Sequence, residues 1–147
     1  MMRYDTFDGK RHESIVTSAI RLYRCEYHGK RYDFSVSAKQ QAACPRWDTE
    51  KEANPPLSAA QALAKAKEFI ATIKTEEGFW WEFEELDLVK VDCCVEQPDL
   101  VKIDGWMWQA RYCLARHGLM TGPPQEMPCW ILMDGTVIQP KITGDAK

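Results

Sequence analysis

The sequence predicts an α+β domain in which one main helix packs on a curled antiparallel sheet of about five to six strands. Three observations predict this class: a hairpin pattern early in the chain, a capped amphipathic helix in the middle, and turn-separated strand patterns after Gly78. At 147 residues the chain has the size of one domain, which we expect over 1–147. A flexible start, a linker and a tail are expected outside its core, at 1–13, 38–56 and 141–147.

The segment from Ser14 to Ser37 predicts a β-hairpin with its turn at His28-Gly29. Glycine accepts a positive φ in such a turn, and histidine tolerates it better than most residues. A two-residue loop places apolar side chains opposite one another on one face and opposite charges on the other. The expected pairs are Tyr23–Phe34, Cys25–Tyr32, Arg24–Asp33 and Glu26–Arg31.

The strongest helix signal follows Pro55-Pro56. Ser58, with Gln61 three residues later, matches the pattern of a capping box. Small and apolar residues then recur with the spacing of one helix face. They are Ala59, Ala62, Leu63, Ala66, Phe69, Ile70 and Ile73. Because alanines allow close approach to a sheet, we expect large sheet residues to fill the remaining space.

Strand patterns occupy the rest of the chain. Trp80 to Cys94 is rich in aromatic and branched residues, and Gly105 to Arg116 alternates between apolar and polar positions. Pro128 to Pro140 contains Asp134-Gly135, a strong turn signal between two apolar runs. The expected order is therefore a hairpin, a linker, a helix and a C-terminal meander.

The run Ser58-Ala-Ala-Gln-Ala-Leu-Ala-Lys-Ala, the strands that follow, and Met133-Asp-Gly-Thr-Val-Ile resemble the helix-plus-meander of PepSY-type and cystatin-like domains. The resemblance covers Leu57 to Pro140, and the N-terminal hairpin and the tryptophans lie outside the small PepSY pattern. It implies a non-enzymatic binding or inhibitory module. It identifies no partner, and no site residues are carried over from it.

Composition and charge exclude several classes of function. Hydrophobic residues make up 45% and charged residues 28% of the chain, which is typical of a globular protein. The formal net charge of −3 gives no basic footprint, so we expect no nucleic-acid partner. No apolar run approaches the roughly 18 to 20 residues that span a bilayer, so we expect no membrane partner. Residues 1–14 lack the apolar stretch of a signal peptide; we expect a cytoplasmic protein, while export with removal of a leader stays open.

The pattern of potential ligands predicts no metal and no cofactor. His12, His28 and His117 have no partner at the spacings typical of zinc sites. The chain also has six cysteines, none of them in a Cys-x-x-Cys motif. Reduced core thiols are favoured because a chain of this size needs no crosslinks, although a disulfide stays open.

A thiol- or carboxylate-dependent hydrolase is one hypothesis for the function. Cys93 or Cys94 could act as a nucleophile, and the carboxylates between Glu76 and Asp87 could act as acid and base. No local nucleophile signature surrounds the two thiols, and alternating carboxylates are typical of a solvated sheet face. We therefore expect no catalytic residues and a protein that is not an enzyme.

The neighbouring tryptophans support a binding hypothesis instead. On a strand, Trp80 and Trp81 must face opposite ways, so one of them stays outside the core. Beside Glu82, Glu84 and Glu85 it would form an aromatic anchor with a charged rim, a surface suited to another protein. A homodimer formed through a free sheet edge is a further option.

The alternative is a carrier or sensor of small molecules. Its pocket would lie between the helix and the sheet, lined by Tyr23, Tyr32, Phe34 and Trp108. The state of the interior distinguishes the two hypotheses, because a filled core leaves no room for a ligand.

Overall fold

The computed structural model describes residues 19–95, 101–118 and 125–145. The predicted flexible start at 1–13 lies outside these residues. Six strands and two helices follow one another along the described chain: β1 Ala19–Tyr27, β2 Lys30–Ser37, α1 Ala38–Ala42, α2 Ala59–Ile70, β3 Phe79–Val95, β4 Val101–Arg116, β5 Glu126–Leu132 and β6 Lys141–Asp145.

The strands form two antiparallel three-stranded sheets, β1-β2-β6 and β3-β4-β5. The prediction of one main helix on a single curled sheet of about five to six strands was therefore wrong. The described structure is mostly sheet, with six strands and two short helices.

The division into two sheets follows from the short pairing on either side of the predicted turn at Asp134-Gly135. Beyond the turn at Asp134-Gly135, one bridge joins Ile131 to Val137. Pro140 has no N–H to donate and cannot continue such a ladder. The chain instead forms β6, which pairs with β2, so the segment expected as a tail at 141–147 contains a strand.

The N-terminal hairpin has the predicted turn and register. Tyr23 pairs with Phe34, and the other three expected pairs are also present. His28 and Gly29 have φ of 53° and 74°, as a two-residue turn requires. The Asp33 carboxylate accepts a hydrogen bond of 3.3 Å from the Arg24 guanidinium on the outer face.

The predicted linker at 38–56 begins with a helix. Ser37 caps α1, and Gln40 completes a second capping box with the spacing of the Ser58–Gln61 pair. The rest of this segment crosses the surface and is anchored by Trp47, whose ring lies 5.3 Å from that of Trp106.

Helix α2 has the predicted cap, and tryptophans of β3 and β4 bind the chain just before and just after it. Ser58 accepts a hydrogen bond from the Gln61 N–H, and the Gln61 side chain accepts one from the Ser58 N–H. The indole of Trp108 donates to the Leu57 carbonyl at 2.9 Å, just before the helix. The indole of Trp81 donates to the Ile73 carbonyl at 3.0 Å, just after it. The predicted helix face is buried at Ala62, Ala66, Phe69, Ile70 and Ile73.

No helix among residues 19–95, 101–118 and 125–145 is long and apolar enough to cross a membrane.

Candidate functional site

A bulge in β3 collects carboxylates on one face of the sheet β3-β4-β5. Glu82 lies opposite Cys113 and Glu85 opposite Arg111, and the shift in register leaves Glu84 as the extra residue. Because Cys113 and Arg111 are two residues apart on β4, they and their partners share a face. Strict alternation along β3 would have placed Glu82 and Glu85 on opposite faces.

The same face carries further acidic side chains. Asp87 lies opposite Gln109 on β4, and Glu126 of β5 lies opposite Cys113 on the other side. Trp80 lies at one end of the row, and its indole donates a hydrogen bond of 2.8 Å to the Glu82 carboxylate. We call this surface the acidic face and define it by Trp80, Glu82, Glu84, Glu85, Asp87 and Glu126.

Arg111 lies among these carboxylates and forms an ion pair with Glu85. A hydrogen bond from Asp87 and the ion pair with Arg111 lower the pKa of Glu85. The same hydrogen bond raises the pKa of Asp87, because it favours the protonated form of that carboxyl. The acidic face thus gathers five carboxyl groups beside one guanidinium.

The two neighbouring tryptophans point in opposite directions. Trp81 is half-buried, and its ring lies 5.2 Å from that of Tyr27 in the core. Trp80 is 37% exposed, and its ring lies 5.1 Å from that of His117. Of the five residues predicted to bind a partner, Trp81 thus supports the fold, whereas Trp80, Glu82, Glu84 and Glu85 share the acidic face.

Tyr23 is a second aromatic residue at this surface. It belongs to β1 and is 38% exposed. Burial, and then the nearby Cys25 and Glu126, raise the pKa of its hydroxyl. Its position near Glu126 means that both sheets contribute to the aromatic border of the acidic face. This proximity could not be predicted from the sequence, because Tyr23 and Glu126 lie 103 positions apart (126 − 23).

The described thiols are poor nucleophiles. Burial raises the pKa of Cys25 to about 11 and that of Cys129 to about 12. The pKa values of Cys44 and Cys113 are also raised, mainly by burial. These four cysteines are unpaired, and all are held as thiols at neutral pH. The side chains of Cys93 and Cys94, the predicted nucleophile candidates, lie outside the described part of the structure.

The two described histidines, His28 and His117, each pack against an aromatic side chain. The ring of His28 stacks on Tyr27 at 4.1 Å, and its Nε2 lies 3.6 Å from the Glu76 carboxylate. His117 lies against Trp80, and His12 falls outside the described residues. Within residues 19–95, 101–118 and 125–145, no three His, Cys, Asp or Glu side chains are arranged to hold a metal ion.

Three of the four residues predicted to line a pocket between helix and sheet are buried in the packed core. Tyr32, Phe34 and Trp108 are buried, and the Phe34 ring packs 5.3 Å from that of Trp130. Tyr23, the fourth residue, lies at the surface instead. These side chains support the core and do not surround a shared space.

A cleft of about 420 Å³ opens elsewhere, between α1 with its following loop and the strands β3 and β4. The rings of Trp47 and Trp106 meet edge to face beside it. We call it the Trp47 cleft and define it by Gln41, Cys44, Arg46, Trp47, Lys90, Asp104 and Trp106.

The floor of the Trp47 cleft contains a buried amide. Gln41 is 6% exposed, and its Oε1 has no hydrogen-bond partner. Its amide lies where a Cβ on Gly105 would be, and Gly105 has a φ of 145°, a conformation that favours glycine. The sequence signal for the start of α1 is the capping-box spacing of Ser37 and Gln40.

No family model, curated protein or solved structure matches this chain. The resemblance to PepSY-type and cystatin-like domains stays a prediction.

Proposed function

We propose that this chain is a non-enzymatic binding protein and that the acidic face holds a basic segment of another protein. The observation that carries this proposal is the gathering of five carboxylates beside two exposed aromatic rings, Trp80 and Tyr23. An aromatic anchor with a charged border is typical of protein-binding surfaces.

The charge of the acidic face selects the chemistry of the partner. The acidic face carries five carboxyl groups, from Glu82, Glu84, Glu85, Asp87 and Glu126, and Arg111 lies among them. Lysine or arginine side chains of a partner would pair with the carboxylates, and they can also stack on the rings of Trp80 and Tyr23. Such pairs favour fast and selective association more than high affinity.

A homodimer through the β3 edge is less well supported. No described strand pairs with the side of β3 that faces away from β4. However, antiparallel pairing of two β3 strands around the bulge at Glu84 would bring like charges together, which destabilises a sheet. Dependence of the sedimentation coefficient on protein concentration would distinguish this arrangement from a monomer that binds another chain.

The test uses two nine-residue peptides of matched length, one alternating lysine with serine and one alternating glutamate with serine. Binding to the ¹⁵N-labelled full chain is followed by NMR at the Trp80 indole N–H and the β3 amides. We expect saturable shifts with the lysine peptide, and weaker binding as the salt concentration rises. Equal shifts with both peptides, or shifts remote from β3, would contradict the proposal.

Variants with matched charge make the test specific. Glu82→Gln with Glu84→Gln should weaken binding of the lysine peptide by about threefold to tenfold, since exposed ion pairs contribute roughly 0.2 to 1 kcal/mol each. Glu50→Gln with Glu68→Gln removes the same charge from exposed positions elsewhere and should leave the affinity unchanged. A similar loss in both variants would mean that only the net charge of the protein matters.

A further inference from the structure

The Trp47 cleft is built from parts of the chain that meet only in the folded protein. Helix α1 lies over Gly105, and the loop after it returns across the surface so that Trp47 reaches Trp106. The Trp47 indole donates a hydrogen bond of 3.0 Å to the Glu52 carbonyl, which fixes the ring at the border of the cleft. At about 420 Å³, the space is within the range of sites for small molecules.

One side of the cleft is aromatic. Trp47 and Trp106 are both half-buried, and their rings meet at 65°. The Lys90 ammonium lies 5.9 Å from the centre of the Trp106 ring. Partly exposed indole rings at the side of a cleft offer a flat surface on which another ring can stack.

The charges at the mouth of the cleft favour an anion. Among the residues that line the cleft, Arg46 and Lys90 are cationic and Asp104 is anionic, and the Asp134 carboxylate lies near Cys44 on the inner side. The Arg46 side chain is 81% exposed and lies 3.8 Å from the Asp104 carboxylate. An exposed ion pair at this distance is weak, so the guanidinium can turn to a ligand carboxylate with little loss.

Gln41 supplies a polar group at the floor. Its Oε1 has no partner although the side chain is buried, and buried polar atoms in proteins are nearly always hydrogen-bonded. The last torsion of a glutamine side chain has a broad energy profile, so the amide can rotate to offer Oε1 to the cleft. A ligand N–H or O–H group would then complete its hydrogen bonding.

We propose that the Trp47 cleft binds a small aromatic carboxylate that also carries a hydroxyl or N–H group on its ring. The ring stacks on Trp106, the carboxylate lies between Arg46 and Lys90, and the ring donor binds Gln41. This site is separate from the acidic face and does not depend on the function proposed for that surface.

The test compares three compounds of the same ring size by ¹⁵N NMR of the full chain. 6-Hydroxy-2-naphthoate carries all the proposed groups, 2-naphthoate lacks the hydroxyl, and 2-naphthol lacks the carboxylate. We expect 6-hydroxy-2-naphthoate to shift the indole signals of Trp47 and Trp106, and not that of Trp80, and to bind about tenfold more tightly than 2-naphthol. Equal affinity for all three compounds, shifts at Trp80 alone, or no saturable shift would overturn the proposal.

Two variants assign the contacts. Arg46→Gln changes an exposed side chain and should weaken binding of both naphthoates by about threefold to tenfold without affecting 2-naphthol. Gln41→Met should remove the preference for 6-hydroxy-2-naphthoate over 2-naphthoate and leave the affinity for 2-naphthoate unchanged. Lys67→Met, on the exposed side of α2, is the matched control for loss of a positive charge. A preference for the hydroxyl that persists in Gln41→Met would overturn the role of Gln41.

Discussion

Replacing Gln41 by methionine should stabilise the protein. Gln41 is buried and its Oε1 is unpaired, a state that costs about 1 to 3 kcal/mol relative to a solvated carbonyl. Methionine keeps the unbranched shape of glutamine, so no cavity opens against Gly105, and its thioether needs no hydrogen bond. Some of the gain is lost with the amide N–H groups, so we expect a net increase of about 1 kcal/mol in the free energy of unfolding. For a chain of this length, that corresponds to a rise of about 2 to 4 °C in Tm.

The matched control is the neighbouring residue in the same helix. The Gln40 side chain accepts a hydrogen bond of 2.9 Å from the Ser37 N–H, so Gln40→Met breaks the capping box. It should lower the free energy of unfolding by about 0.5 to 1 kcal/mol, opposite in sign to Gln41→Met. Urea unfolding followed by circular dichroism measures both changes. If Gln41→Met destabilises the protein as much as Gln40→Met, then Oε1 has a partner in solution and the reasoning about the cleft floor fails.

Three further predictions concern the tryptophans, the thiols and the carboxyl pair. Trp81→Ala should lower the free energy of unfolding by about 3 kcal/mol through lost packing, whereas Trp80→Ala should change it by less than about 1 kcal/mol. Urea unfolding of both variants measures the two changes, and equal losses would contradict the roles assigned to the two tryptophans. Burial raises the pKa of Cys129 to about 12, so its thiol should react with iodoacetamide at pH 8 about a thousandfold more slowly in the folded protein than in urea. Peptide mass spectrometry measures the two rates, and comparable rates would refute the burial of this thiol. In ¹³C NMR titrations the pKa of Glu85 should lie below, and that of Asp87 above, the value of the same group in the urea-unfolded chain. Glu85→Ala should lower the pKa of Asp87, and an unchanged pKa would mean that the two carboxyl groups do not interact.

The pKa shifts of Glu85 and Asp87 predict how pH affects the free energy of unfolding. The pKa of Glu85 is lower in the folded than in the unfolded protein. Ionised Glu85 therefore stabilises the fold at pH values above its pKa in the unfolded chain, and this stabilisation is lost as the pH falls through its pKa in the folded protein. The pKa of Asp87 is higher in the folded than in the unfolded protein. Protonated Asp87 therefore stabilises the fold at low pH, and this stabilisation is lost as the pH rises through its pKa in the folded protein. The two effects oppose each other, and acid should therefore affect the charge of the acidic face more than the stability of the fold.

Local features of the fold could be predicted well from the sequence. The register of the first hairpin follows from the turn at His28-Gly29, and the start of α2 follows from Ser58 and Gln61. Each depends on residues close together in the chain, where propensity and capping decide the structure.

Long-range pairing could not be predicted. The apolar runs around Asp134-Gly135 suggest a ribbon, but whether β6 joins β5 or β2 depends on which partner offers a free edge. The acidic face was anticipated only in part, because alternation alone cannot locate the bulge at Glu84. The Trp47 cleft was missed because it needs α1, Gly105 and Trp106 to meet, although the capping box at Ser37 and Gln40 was visible.

The pairing of β2 with β6 has a consequence for the folding of the chain. Asp33 pairs with Lys141, which lies 108 residues later (141 − 33). Closing so long a loop carries a large entropic penalty, and contacts of this separation generally form late. During synthesis the first hairpin must remain with one side open until residue 145 has left the ribosome. The β2 edge is therefore a place where a newly made chain is exposed to pairing with the wrong strand.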